Sequence, residues 1–238
     1  MMFKVDPSWQ GIINRALNNL DDSYLEFLQT NEEYFPSGEN FLNAFKTLPK
    51  EKTKYILFGQ DPYPRVNSAI GYAFIDGAVE SIWDEKNGLS KEVNKATSLR
   101  NFMKMLLICE KQLGEDDLSK EAVAKIDKST YLQSIMQLKN NFEKNGVLLL
   151  NTALIFTTKE DSKKHVKMWK PFVSSFLKQL QSEDIKLILF GSMAKDIEKL
   201  DSSDGFDKFY CEHPYNVSFI TNKKVQEFFG QMKLLEKC

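Results

Sequence analysis

The chain has 238 residues, 42% of them hydrophobic and 12% aromatic, which is enough apolar material for one large globular domain with a substantial core. Its 32 basic and 33 acidic residues leave a formal net charge of -1, excluding a strongly basic surface overall and confining any nucleic-acid contact to a local groove. Cys109, Cys211 and Cys238 are far apart and odd in number, so a reducing compartment and no metal site are expected. The start, Met1-Met2-Phe3-Lys4-Val5-Asp6, has no apolar h-region, and no later run approaches the roughly 18–20 apolar residues of a membrane span. A soluble, cytoplasmic protein with no membrane partner is therefore expected, associated with the nucleoid if the source is bacterial.

In chain order, Ser8 to Leu28 repeats apolar residues at helical spacing (Ile12, Ile13, Ala16, Leu17, Leu20, then Tyr24, Leu25, Leu28) and predicts a helical segment. The run Lys54 to Phe58 predicts a buried strand. Ser98 to Leu113 opens on a capping-type serine and predicts a helix. Gly114 to Lys128 is acidic and lysine-rich, and reads as a solvated excursion or an exposed helix. Further helices are expected over Ser129 to Lys144, Trp169 to Gln181, Ala194 to Leu200 and Lys223 to Leu235, with strands at Gly146 to Leu150, Lys186 to Phe190 and Lys208 to Cys211. Strands alternating with helices predict an α/β fold, a single three-layer αβα domain around a mainly parallel four-stranded sheet.

Ligands of open α/β sheets sit beyond the carboxyl ends of the strands, so the residues there carry the functional reading. The first strand runs into Gly59-Gln60-Asp61-Pro62-Tyr63-Pro64, where two prolines without backbone donors make a stiff loop carrying one acid. Gly71-Tyr72-Ala73-Phe74 follows it. The second strand ends at Asn151, the third leads into Gly191-Ser192-Met193, and the fourth into Glu212-His213-Pro214-Tyr215-Asn216-Val217-Ser218. No Gly-rich P-loop or dinucleotide fingerprint is present.

From about Pro49 to Gln231 the chain resembles the family 1-type uracil-DNA glycosylases, on its Gly-Gln-Asp-Pro-Tyr loop, its Leu-Leu-Leu-Asn strand end, its His-Pro motif and Ser98-Leu99-Arg100-Asn101. The resemblance implies hydrolysis of the N-glycosidic bond of uracil flipped out of DNA, leaving an abasic site. It implies that Asp61 orients the attacking water and stabilises the sugar cation, and that His213 stabilises charge on the leaving base. Gln60 belongs to the substrate-binding loop, Tyr63 closes the pocket against a C5 methyl, Phe74 stacks on uracil and Asn151 reads the base edge. Pro64, Ser98, Ser192 and Ser218 fall among the DNA-gripping residues, and Val217 stands where the family has a leucine wedge. No cofactor is implied; the partner is uracil-containing DNA, single- or double-stranded, met by a monomer.

These residue types suit that chemistry. A base must leave its stack before its glycosidic bond can be reached, at a cost of a few kcal/mol, and an aromatic surface returns about 1–3 kcal/mol. Bond cleavage puts positive charge on the sugar and negative charge on the base, which an anionic Asp61 and a donor from His213 would stabilise at opposite ends. A carboxamide matches O4 and N3–H of uracil together, whereas cytosine presents the reverse pattern. The chain departs from the family where His-Pro-Ser-Pro-Leu-Ser is here His213-Pro214-Tyr215-Asn216-Val217-Ser218, and where Asn94-Lys95-Ala96-Thr97 replaces a proline-rich segment. Two other readings keep the fold: action on another modified base, or a non-catalytic module that binds DNA or a partner. His165, among Lys159, Lys163, Lys164 and Lys167, reads as part of a solvated face, with contact to phosphate as the alternative role of that cluster, and Trp9, Trp83 and Trp169 read as core anchors.

Overall fold

Residues 3–31 and 33–237 are described in a computed structural model, so Cys238 lies outside the described residues. In chain order the helices and strands are α1 (Pro7–Leu17), α2 (Asp22–Thr30), α3 (Ala44–Thr47), β1 (Tyr55–Gly59), β2 (Trp83–Asp84), β3 (Gly88–Leu89), α4 (Lys91–Lys95), α5 (Thr97–Cys109), α6 (Lys120–Ala124) and α7 (Ile135–Lys144). They continue with β4 (Val147–Asn151), α8 (Ser162–Lys178), β5 (Lys186–Phe190), α9 (Met193–Glu198), β6 (Asp207–Cys211) and α10 (Lys223–Gly230). The chain divides into two compact units, Met1–Asp76 with Gly146–Tyr210, and Gly77–Asn145 with Cys211–Cys238. Among the described residues no helix is long and apolar enough to cross a membrane.

The first unit is built on a four-stranded sheet in the order β4-β1-β5-β6, with β1 parallel to both neighbours. Tyr55 stands opposite Val147 and Gly59 opposite Asn151 on one side, and Tyr55 opposite Lys186 on the other. Side chains alternate between faces along a strand. Ile56, Phe58, Leu148, Leu150, Leu187 and Leu189 enter one core with Trp9, Phe45, Trp169 and Phe176. The intervening Leu57, Leu149 and Ile188 are buried as well, which is why these strands read as unbroken apolar runs. β6, at the sheet edge, is mostly open instead, with Phe209 its one buried residue.

The predicted helix from Ser8 to Leu28 is two helices. The Asp21 side chain accepts from the Ser23 N–H and caps α2, giving the backbone an alternative to continuing α1. Leu20, Tyr24 and Leu28 are nevertheless all buried: the apolar spacing reports a buried face, and that face persists across the break. The helix expected from Trp169 begins at Ser162, because His165 and Trp169 both face the core while Lys163, Lys164, Lys167 and Lys170 face solvent.

In the second unit Phe102 of α5 is ringed by Phe142, Phe219 and Phe229, with centroids 5.8, 6.0 and 5.1 Å away. The β2–β3 hairpin has no counterpart in the sequence reading, since strands of two residues carry no period. Ser98 does not cap α5; it lies in the first turn, which starts at Thr97 without a side-chain cap. The Gly114 to Lys128 excursion is pinned rather than merely solvated. It contains α6, whose Val123 is buried against Gly88, and its Leu118 carbonyl accepts from Lys104 Nζ at 2.6 Å. The helix expected from Ser129 starts at Ile135, behind a capping box formed by Ser134 and Gln137, and the one expected to reach Leu235 ends at Gly230.

Candidate active site

The chain leaving β1 returns to the sheet as β4 on one side of it, and the chain leaving β5 returns as β6 on the other. This reversal opens a crevice at the carboxyl ends of the strands. There, the backbone after β1 is tied to the backbone after β4: Thr152 N donates to Gly59 O and Ala153 N to Gln60 O, both at 2.8 Å, and Thr152 Oγ1 donates to Gln60 O at 2.9 Å. Asp61 and Asn151 are thus carried by neighbouring strand ends with a fixed register.

Asp61 is half-buried, and its Oδ2 accepts a hydrogen bond from Ser162 Oγ in the first turn of α8. Asn151 is 7% exposed, and its carboxamide has no partner among the described residues while keeping some access to solvent, which leaves a donor and an acceptor open to a ligand. Gly59 makes room for it, since a Cβ there would lie 2.3 Å from Asn151 Oδ1. Tyr63 Oη donates to the Phe74 carbonyl at 3.4 Å, and burial raises the phenol's pKa far above its usual 10, so Tyr63 is neutral. Phe74 has φ +68°, a left-handed conformation that costs a bulky residue about 1–3 kcal/mol. Ala73 N holds it in place by donating to Leu149 O at 3.1 Å, and its ring meets Phe190 edge-on at 6.3 Å. The Arg65–Asp76 ion pair, 3.1 Å, closes the loop between them. Gln60, Pro64 and Ser192 are exposed, Ser192 at the start of α9.

In the second unit, His213 Nδ1 accepts from the Tyr215 backbone N–H at 3.1 Å. Nδ1 is therefore unprotonated, and the neutral ring carries its proton on Nε2 as a donor. Desolvation lowers the His213 pKa from 6.5, favouring that neutral donor. The loop is held by Asn101, 2% exposed, whose Nδ2 donates to Pro214 O at 2.8 Å and Tyr215 O at 3.2 Å. Tyr215 and Val217 are left 66% and 65% exposed, and Ser218 Oγ donates to the Glu212 carboxylate. Ser98, on α5, is half-buried.

Two residues that support the candidate site were not visible in the sequence. Ser162 is 101 residues from Asp61, and neither motif nor period marks it. His165, read as part of a solvated face, is 3% exposed and lies between Tyr24 Oη at 2.6 Å and Thr157 Oγ1 at 2.8 Å. It locks the first turn of α8, which presents Ser162 to Asp61. Ser162→Ala is expected to lower kcat about tenfold with KM little changed, because the carboxylate loses one oriented donor; an unchanged kcat would remove Ser162 from the site.

Burial lowers the pKa of His165 too, against the opposing pull of Asp161 and Asp61. Both histidines therefore take up protons more readily in the unfolded chain, so the stability they contribute is present above 6.5 and is lost as pH falls through their lowered folded values. The thermal midpoint is expected to drop between about pH 7 and about pH 5, with a shallower drop in His165→Asn. An equally steep decline in that variant would refute the assignment.

A carboxylate at one strand end, an unpartnered carboxamide at the next and a strained phenylalanine beside Phe190 form a candidate ligand site at the carboxyl end of a parallel α/β sheet. A sequence model of the uracil DNA glycosylase superfamily matches residues 45–233, and the chain belongs to that superfamily. It is similar over its whole length to the crystal structure of wild-type UNG from Nitratifractor salsuginis, with 48% identity, 95% of that chain covered and a TM-score of 0.96. It is 27% identical over 231 residues to the uracil-DNA glycosylase of Mycoplasma genitalium, covering 93% of this chain and 82% of that one. The Fusobacterium nucleatum uracil-DNA glycosylase is 28% identical over 207 residues, covering 83% of this chain and 76% of that one. Mimivirus uracil-DNA glycosylase, at 18% identity and a TM-score of 0.58 over 87% of this chain and 68% of that one, shares the fold.

Proposed function

We propose that the protein is a uracil-DNA glycosylase, hydrolysing the N-glycosidic bond of uracil in DNA and so starting base-excision repair. The observation that carries this reading is the register of Gly59 against Asn151, which sets an unpartnered carboxamide of a largely buried residue beside the loop that bears Asp61. Superfamily membership and the named relatives support the same activity.

In this reading Asp61, steadied by Ser162, orients the water and faces the cation that develops on the sugar. Asn151 donates to O4 and accepts from N3–H, Phe74 stacks on the ring, Tyr63 blocks a C5 methyl, and Gln60 lines the loop. His213 donates through Nε2–H to the base as it gains negative charge, a role supported by its fixed tautomer. Val217, with Tyr215, fills the emptied stack; their exposure supports that role, and the small valine favours single-stranded substrate. Pro64, Ser98, Ser192 and Ser218 meet the sugar–phosphate backbone, and the protein works as a monomer in the cytoplasm.

The test is cleavage of labelled oligonucleotides carrying one uracil, single-stranded and paired, with thymine and cytosine controls, in the presence of chelator. Alkali-labile sites at uracil alone are expected. Folded protein that binds DNA but cleaves neither form would overturn the reading in favour of a non-catalytic module or another base.

A further inference from the structure

The first unit holds a cavity of about 390 Å³ that the glycosidic step does not use. Its size falls within the range of about 300–1,000 Å³ typical of small-ligand sites. The floor is apolar, with Val166 and Val173 from α8 facing Met193 and Ile197 of α9. The rim is cationic. Lys163, Lys167 and Lys170 follow one another at i, i+4 and i+7, so they share one face of α8, and none of the three has a carboxylate partner among the described residues. Lys199, on the opposite wall, is by contrast paired with Asp196 at 3.2 Å. All three side chains are exposed, so the row presents three solvated ammonium groups along the cavity's edge.

The remaining wall is Gln60 and Thr152, the residues that directly follow β1 and β4 and are tied together through the Gln60 carbonyl. The cavity therefore opens at the same end of the sheet as Asp61 and Asn151. We propose that it is a second nucleotide subsite, holding one nucleotide of the strand that carries the uracil, with its base on the apolar floor and its phosphates among Lys163, Lys167 and Lys170. An inorganic anion would leave the apolar floor uncovered, and a purely apolar ligand would make no use of the lysine row. A nucleotide satisfies both. The subsite rests on the reading of the protein as one that acts on DNA, and it gives the chain a local basic grip that its net charge of -1 does not suggest.

Two readouts test it, one independent of catalysis. The first is the salt dependence of binding to a fluorescent, uracil-free single-stranded oligonucleotide of about 20 nucleotides; the second is the gain in kcat/KM when a uracil substrate is lengthened from a trinucleotide to that length. In the triple variant K163Q/K167Q/K170Q the salt slope is expected to fall by at least one phosphate's worth, about 0.7, with about a tenfold rise in KM on the long strand and loss of the gain from lengthening. The corresponding triple arginine variant is expected to keep the wild-type slope. A salt slope and length dependence unchanged by the glutamines would overturn the subsite, and would be the result if the cavity took an acidic peptide instead. If the wild type released no uracil yet lost its salt slope in the glutamine variant, the subsite would stand and the glycosylase reading would fail.

Discussion

Asp61→Asn is expected to slow uracil release by about 10²–10³-fold, the usual cost of removing one preorganised electrostatic group from a developing charge. The substitution is nearly isosteric, and an asparagine oxygen at position 61 can still accept the Ser162 hydrogen bond, so the loop keeps its shape while the charge disappears. DNA binding should be spared, because the same change removes a negative charge from a surface that must meet phosphates. Single-turnover kinetics with one labelled uracil, alongside binding to the same strand, separates the two effects. Release within about tenfold of wild type would mean that the sugar cation forms without help from this carboxylate.

Gly59→Ala is the second change with a large expected effect, and it contacts no substrate atom. A Cβ at position 59 would sit 2.3 Å from Asn151 Oδ1 and 3.0 Å from the Ala73 Cβ. Asn151 is fixed in β4 by its register against Gly59 and is buried, so the only group free to yield is the carboxamide itself. A shift of about 1 Å in a positioning group can cost about 10²-fold, and that loss in kcat/KM is expected here together with weaker rejection of cytosine. Overpacking should also cost about 1–3 kcal/mol of stability. The double variant with Asn151→Ala shows whether the effect travels through the carboxamide: in that background Gly59→Ala should add little to the catalytic loss. Full additivity would place the effect elsewhere, in the contact with Ala73.

The central strands and the loops that follow them were legible because both are local. Parallel strands buried on two faces need continuous apolar runs, and Tyr55 to Phe58, Val147 to Leu150 and Lys186 to Phe190 supply them. The Asp61-Pro62-Tyr63-Pro64 and His213-Pro214 loops are stiff for reasons that lie within a few residues. Helix limits were less legible, since Asp21 and Ser134 each begin a helix inside an apolar pattern that runs on regardless. The Ser162 bond to Asp61, the burial of His165, the support of the 213–218 loop by Asn101 and the lysine-rimmed cavity were decided by tertiary structure alone. Each depends on elements far apart in the chain that only packing brings together, and a pattern with a period of two or of 3.6 residues carries no record of such a meeting. The sequence by itself determined which chemical groups stand at the strand ends; the fold decided what holds each of them in place.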